Sequence, residues 1–383
     1  MARRRLQRIK LMFRSLLRDR ANYHQPDYLL IGAVVVIVLF GLIMLSSVSS
    51  AISFAKHEST YIIFYKQLLG LSLGAFLFYI TSKLDYHRYK ELALPLLVVS
   101  LALLLIVFIP GLAGGWGSAK SWINIFGFSL QPSELVKITF LLYLAAWIDK
   151  RGRDLEDLHQ GTAPFFMLLA VVAGLMIAQP DTGTLFIILS IALSVYFIGG
   201  GNIKHIAIIG IIGLIGLFMM VKVAPYQADR FRCFFDSDFS PVDVCYQINQ
   251  SLIATGSGGF LGRGFGASRQ KFKYLPEVQG DAIFPIIAEE MGFVIVSGLV
   301  ALFTFLFYRG YILSQRAPDN YGKLLAIGIV SWFSLQAFIN IAGMINLMPM
   351  TGVPLPFISY GGSAMMAVLA AAGILVNISK QTR

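Results

Sequence analysis

The sequence predicts an all-α polytopic membrane protein of about ten transmembrane helices, with a large extracytoplasmic loop between spans seven and eight. Three observations carry this reading. Hydrophobic residues make up 57% of the 383-residue chain and charged residues only 13%, against roughly 25% charged in a soluble globular protein. Mean hydropathy is +0.72. The apolar residues fall into runs near the ~20 residues a bilayer requires, with short connections, which gives one bundle rather than several soluble domains.

The first segment, 1–27, opens with "MARRRLQRIKLMFRSLLRDR", eight basic residues and one acid. It is too long and too far from a cleavable apolar core for a signal peptide. It is either a cytoplasmic topology anchor on anionic headgroups or a docking site for a cytoplasmic partner. The net charge of +11 does not imply nucleic acid, because the positive residues cluster beside apolar spans. A single membrane domain follows over 28–378, and 379–383 form a short tail. Spans are expected at 28–48, 61–81, 92–112, 133–148, 164–179, 183–199, 205–223, 283–306, 324–344 and 358–378.

With the N-terminus inside, the inner connections are "SKLDYHRYKE", "DKRGRDLED", "GGGNIKH", "YRGYILSQRAPDNYGK" and the tail "SKQTR", all with basic residues, as the positive-inside rule requires. An even number of spans returns the C-terminus to the cytoplasm. The long outer loop, 224–282, breaks the pattern with Arg230, Arg232, Arg263, Arg269, Lys271 and Lys273. These cations either meet something anionic or are ordinary solvated loop charge. No repeat of 20–50 residues recurs, which excludes a solenoid; an inverted repeat of the transporter kind stays open.

Both cysteines, Cys233 and Cys245, lie in the outer loop, in a compartment that permits disulfides. They form either a staple or two buried thiols. "GSGGFLGRGFG", 256–266, superficially resembles a nucleotide loop, but no Walker lysine follows and it faces outward. It reads as a loop that packs closely or moves. The histidines show no metal-ligand spacing.

Polar residues at the outer ends of the spans are the candidates for chemistry. Asp281 starts span eight in "QGDAIF"; Glu134 and Lys137 start span four; Lys120 and Trp122 precede it; Asp181 sits in "QPDTGT"; Lys66 lies inside span two. Charges at membrane depth cost roughly 2.5–3.5 kcal/mol each on insertion scales, so they face a cavity or a partner. Each has a plainer alternative. Lys66 can snorkel, Glu134 and Lys137 can pair across one helical turn, and Asp181 can cap span six. Asp281 can be a helix cap, or a carboxylate held between helix-terminus attraction and apolar burial, able to accept a hydroxyl proton. Outside the membrane no nucleotide supplies energy, so synthesis needs an activated donor such as a lipid-pyrophosphate sugar. Its displacement requires a base on the acceptor and cations for the phosphates. Transporters would show the same inventory.

The stretches "GSAKSWINIFGFSLQPSELVK", "QPDTGT", "YQINQSLIATGSGGFLGRGFG", "YLPEVQGDAIFPIIAEEMG", "QAFINIAGM" and "MTGVPLPFISYGGS" together resemble the SEDS family (shape, elongation, division, sporulation), represented by FtsW and RodA. The resemblance covers nearly the whole chain. It implies a SEDS-type bundle in the bacterial cytoplasmic membrane that polymerises lipid II, the undecaprenyl-pyrophosphate-linked disaccharide peptide. A class B penicillin-binding protein and other divisome or elongasome proteins would be partners. It implies that Asp281 is the essential acid. The family's usual "HTDFIF" departs here to "QGDAIF", with Gln279 and Gly280 in place of His-Thr, and Gly280 loosens the backbone. The resemblance further implies substrate contacts at Lys66, Lys120, Trp122, Glu134, Lys137, Asp181, Arg263, Lys273 and Ser359. Lys66, Lys120 or a divalent cation, Mg or Mn, would meet the leaving group. "TGVPLPFISYGGS" breaks the helix at the outer end of span ten and either shapes a cavity floor or packs spans. A lipid II flippase and a non-catalytic scaffold are the competing readings. The basic N-terminal extension and "FGLIMLSSVS" in span one look more like the division branch, FtsW, than the elongation branch.

Overall fold

The computed structural model describes residues 24–57, 61–109, 113–116, 119–125, 128–223, 225–236, 239–240, 242–272 and 274–382. The helices in chain order are α1 (Tyr28–His57), α2 (Ile62–Lys83), α3 (His87–Ile106), α4 (Pro132–Arg151), α5 (Ala163–Ala178), α6 (Thr182–Ile198), α7 (Ile203–Val223), α8 (Pro225–Phe235), α9 (Tyr246–Ser257), α10 (Ile283–Gln315), α11 (Asn320–Met344) and α12 (Gly362–Ser379). Seven stretches among the described residues are long and apolar enough to cross a membrane: α1, α2, α3, Leu158–Ala178 around α5, α10, α11 and α12. α6 and the start of α7 are shorter apolar helices. α4 places charged residues at both ends, Glu134 and Lys137 at one and Asp149 to Arg151 at the other.

The all-α expectation needs one correction. Between α3 and α4 the chain forms an antiparallel sheet of β1 (Ala113–Trp116), β2 (Ala119–Ile125) and β3 (Phe128–Leu130), in the order β1-β2-β3. The third span was drawn to residue 112, but α3 ends at Ile106. An apolar count cannot separate the last helical turn from a β-rich hairpin segment, and the β-branched and aromatic residues Trp122, Ile123, Ile125 and Phe128 favour the pleated surface. Trp122 pairs with Gly114, and Ile123 with both Ala113 and Leu130.

α11 and α12 form the centre of the bundle, each with 78% of its most apolar window buried, while α2 and α10 have 22%. Small residues allow the closest approach, as membrane packing requires in the absence of a hydrophobic force between helices. A side chain on Gly70 of α2 would lie 2.7 Å from the Gly362 Cα of α12, and one on Gly373 would lie 2.0 Å from Thr81 Oγ1. Thr81 Oγ1 donates across this seam to Ala370 O at 2.9 Å.

The first and last described segments meet at one end of the bundle. Asp27 N donates to Ser379 Oγ at 3.1 Å, and Arg309 Nη2 pairs with Asp27 Oδ2 at 2.6 Å. At the same end Asp319 caps α11, accepting from Gly322 N at 2.7 Å, and also takes His87 Nε2 at 2.9 Å and the Tyr86 hydroxyl. Burial alone would raise the Asp319 carboxyl, but the hydrogen bonds from His87, Tyr86 and Gly322 hold it at about 2. A depressed folded value means the contribution is present above the unfolded 3.8 and lost as pH falls through about 2. Asp319→Ala is therefore expected to cost roughly 1–3 kcal/mol at neutral pH, since it removes a cap and leaves the Tyr86 hydroxyl without its acceptor. Thermal melting in detergent checks this; an unchanged midpoint at pH 7 contradicts it.

Candidate functional site

The turn at 277–282 sets the position of Asp281. Gly280 N and Ala282 N both donate to Glu277 O, at 2.9 and 3.3 Å, and Tyr360 N donates to Gln279 O at 2.8 Å. The buried amide of Asn340, on α11, donates from Nδ2 to Asp281 O at 2.7 Å and to Val353 O at 2.8 Å. The backbone before α10 is thus pinned from α11 and from the 353–360 segment. Gly280, expected to loosen it, does not have a left-handed φ, and the nearest atom to a Cβ there is Glu277 O at 3.6 Å, so a Cβ would meet only ordinary contacts.

Asp281 is not a plain helix cap. The N-cap of α10 is Ala282, and no side-chain cap bond is made. The Asp281 side chain is instead half-buried, with Oδ1 enclosed and without a partner in hydrogen-bond geometry. Burial pushes the carboxyl up to about 6, the nearby Arg230 charge opposes this, and Glu277 adds to it. Arg230, on α8, is fixed by donation from Nη1 to Met350 O at 2.9 Å. Gly352 lies between acid and cation: a side chain there would fall 3.7 Å from Arg230 Nη1 and Nη2 and from Asp281 Oδ2. Its φ is +72°. Gly352→Ala is expected to cost roughly 1–2 kcal/mol in left-handed backbone and to slow any reaction at this carboxyl. A wild-type melting curve for that variant contradicts the strain.

The other candidates are placed as follows. Glu134 and Lys137 form a fully buried pair, Nζ to Oε1 at 2.8 Å. Lys137 Nζ also donates to Gln336 Oε1 at 3.0 Å and lies over the Trp332 ring; Gln336 Nε2 in turn donates to Pro354 O. Asp181 caps α6 through Thr184 N and accepts from Gln131 Nε2 and Ser133 Oγ, which ties that turn to α4. Gly183 packs against Thr351 O and Val353, so the Asp181 turn and the Asp281 turn meet the same 351–353 segment. Ser359 is buried, and its Oγ accepts from Leu355 N. It holds the non-helical "PLPFISYG" segment, which breaks the chain before α12. Lys66 is exposed on α2 beside exposed Tyr65, and no described contact brings it to Asp281. Trp122 is half-buried on β2. Lys273 and the side chain of Lys120 lie outside the described residues.

Two loop cations meet internal acids. Arg263 Nε lies 3.8 Å from Glu289 Oε1. Lys271, buried, places Nζ 2.9 Å from Glu290 Oε1 and donates to Ser47 Oγ and Gly266 O. Glu289 accepts from Ser268 Oγ and Arg269 N. This network secures the glycine loop against a break in α10 at Gly292, where φ is 74°. The break frees backbone groups, and the loop satisfies them. Arg263 N and Gly264 N donate to Glu289 O and Glu290 O, while Phe293 N and Val294 N donate to Gly259 O and Phe260 O. Non-helical backbone at this depth requires such partners. A side chain on Gly262 would lie 2.2 Å from Glu290 O, so the loop packs closely. Sequence reasoning did not single out Glu289, Glu290, Asn340 and Gln336, and named Arg230 only as one of six loop cations; the available signal was an acid pair, an Asn and a Gln inside apolar runs.

Fold and site together define a multi-pass helical membrane protein with a half-buried carboxylate beneath a large, internally braced loop. The family model FTSW_RODA_SPOVE, described as cell cycle protein, matches residues 27–383. The chain belongs to this family. It is 35% identical to "Stage V sporulation protein E" of Bacillus subtilis (strain 168), over 94% of this chain and 98% of that one. It is 35% identical to "Probable peptidoglycan glycosyltransferase FtsW" of Geobacter sp. (strain M18), over 93% and 97%. Its fold matches a solved chain from "Structural coordination of polymerization and crosslinking by a peptidoglycan synthase complex", with a TM-score of 0.75 and 26% identity, covering 92% of this chain and 97% of that one.

Proposed function

We propose that this protein is a peptidoglycan glycosyltransferase that polymerises lipid II into β-1,4 glycan at the outer face of the bacterial cytoplasmic membrane, and that it serves septal synthesis. The observation that carries the chemistry is Asp281: one carboxylate, held by burial at about 6, at the start of α10 and beside the Arg230 guanidinium. A general base poised near the working pH serves proton transfer best. Asp281 takes the proton of the 4-hydroxyl of the acceptor GlcNAc. That oxygen attacks the anomeric carbon of the donor MurNAc, the bond to undecaprenyl pyrophosphate breaks, and the α-linked donor is inverted to a β linkage. Arg230 is the described cation nearest this event, and its charge favours departure of the pyrophosphate. Among the described residues no three His, Cys, Asp or Glu side chains converge as a cation site, and the steps above use this chain's own residues.

In this reading the chain has ten spans. α4, α6 and α7 add to the seven long apolar stretches, both termini are cytoplasmic, and residues 1–27 lie on the inner surface. The long loop 224–282 and the small sheet are extracytoplasmic. A class B penicillin-binding protein is the expected partner, because the matched solved complex couples polymerisation to crosslinking. The test is a gel of glycan chains made from purified lipid II, with and without such a partner. Polymer is expected with the partner. Transport of labelled lipid II across vesicles without polymer would favour a flippase and contradict this reading.

A further inference from the structure

The Cys233–Cys245 disulfide lies where three segments meet. Cys233 is on α8, one helical turn after Arg230, so the two share a face. Cys245 is the N-cap of α9, two residues before Gln247. Both sulfurs are buried, in a small cluster with Ile248, Leu252 and Met350. Met350 is also the residue whose carbonyl oxygen holds Arg230. Each of the three segments delivers one element to Asp281: Arg230 from α8, the Gln247 amide from α9, and Gly352 from the non-helical segment after Met350. Gln247 Nε2 and Asp281 Oδ1 are both buried, and the amide lies close enough to the carboxyl to favour its ionised form.

We propose that the Cys233–Cys245 disulfide is a positioning element of the catalytic centre, fixing Arg230 and Gln247 around Asp281 so that the oxidised chain polymerises efficiently and the reduced chain does not. This rests on the polymerase reading above. Cys233 and Cys245 touch no reacting atom; they act through the two residues they hold. Of the groups facing Asp281, Arg230 on α8 and Glu277 in its own turn carry charge, while Gln247 on α9 and Asn340 on α11 do not titrate. Loosening α8 removes the one cation of this set, so the acid limb of the rate profile must move to higher pH.

The test compares oxidised wild type, the same protein reduced by a dithiol, and Cys233→Ser/Cys245→Ser, all with the partner and purified lipid II. Reduction adds two electrons and two protons to the bond, and the dithiol becomes a cyclic disulfide. A kcat lower by roughly ten- to hundredfold is expected, the scale of a misplaced catalytic group, with a smaller change in KM, the acid limb moved upward, and recovery on reoxidation. Arg230→Gln should cost little more in the disulfide-free background than the missing bond does alone. Two further variants keep the test open if the disulfide-free chain folds poorly: Arg230→Gln and Gln247→Ala with the bond intact must each reproduce the loss. Full kcat in the reduced protein with an unchanged pH profile, or full kcat in either of those variants, overturns the proposal while Asp281→Ala still reports on the polymerase reading. Fully additive losses with Arg230→Gln overturn it too, because the bond is then only a stabiliser. An oxidised wild type that makes no glycan removes the polymerase reading and this inference with it.

Discussion

Asp281→Asn is expected to lower lipid II polymerisation by roughly 10²–10⁴-fold, the range a positioned base supplies, without destabilising the fold. The two halves of this expectation come from the same geometry. The change keeps the shape of the side chain, and the backbone contacts of residue 281 run through its carbonyl, held by Asn340 Nδ2, which the substitution leaves in place. The carboxylate is disfavoured where it sits: burial raises its folded value from 3.8 to about 6. Folding therefore penalises the ionised form, and the penalty grows as pH rises from 3.8 through about 6. A neutral amide escapes it. Above pH 6 the variant should melt at or above the wild-type midpoint, and the difference should vanish as pH falls toward 3.8. A variant that both melts early and loses activity would mean that Asp281 is structural. A stable variant that polymerises at the parental rate would mean that another group takes the proton.

The largest stability effect is expected at Glu290. Its side chain is fully buried, and Lys271, also buried, depends on it for charge compensation at 2.9 Å. Ser47 Oγ donates to both carboxylate oxygens and also accepts from Lys271. Removing one partner of a buried pair leaves the other as an uncompensated charge, at roughly 3–5 kcal/mol. Glu290→Ala should therefore release the glycine loop from the α10 break, expose the 258–272 segment to protease and lower the melting midpoint. Lys271→Met combined with Glu290→Gln should recover most of the loss, since two neutral groups of similar size replace the ion pair. If Glu290→Ala costs less than about 1 kcal/mol, the value of an exposed pair, the loop is not held by this network.

Much of the fold was legible in the sequence, for a physical reason. A hydrocarbon solvent forces every spanning backbone group into a helix, so apolar length alone marks the elements. α1, α2, α11 and α12 fall where the apolar runs do. The misses occur where that constraint lapses. β1 to β3 lie at the bundle end, where pairing between strands competes with helix, and α10 runs nine residues past the expected end of its span into a polar segment. The site was legible in part. An acid at the mouth of an apolar run drew attention to Asp281 by its cost alone. Arg230 did not stand out, because a loop of six cations offers no sign of which one turns inward. Lys271 and Arg263 have partners supplied by α10, twenty or so residues later in the chain, and the pairing depends on the break at Gly292, which no local pattern announces. Asn340 and Gln336 were visible only as polar residues in an apolar helix; that they hold Asp281 O and Pro354 O follows from the packing of α11.

The central claim is that Asp281 accepts the proton of the attacking hydroxyl. The most direct test is the pH dependence of kcat/KM for glycan synthesis by the oxidised wild type, compared with Arg230→Gln. The rate should fall on the acid side with a midpoint near 6, where Asp281 takes up its proton, and in the variant that limb should move upward, because the cation that favours the carboxylate is gone. A rate that stays level through pH 6, or a limb that does not respond to Arg230, would contradict the assignment.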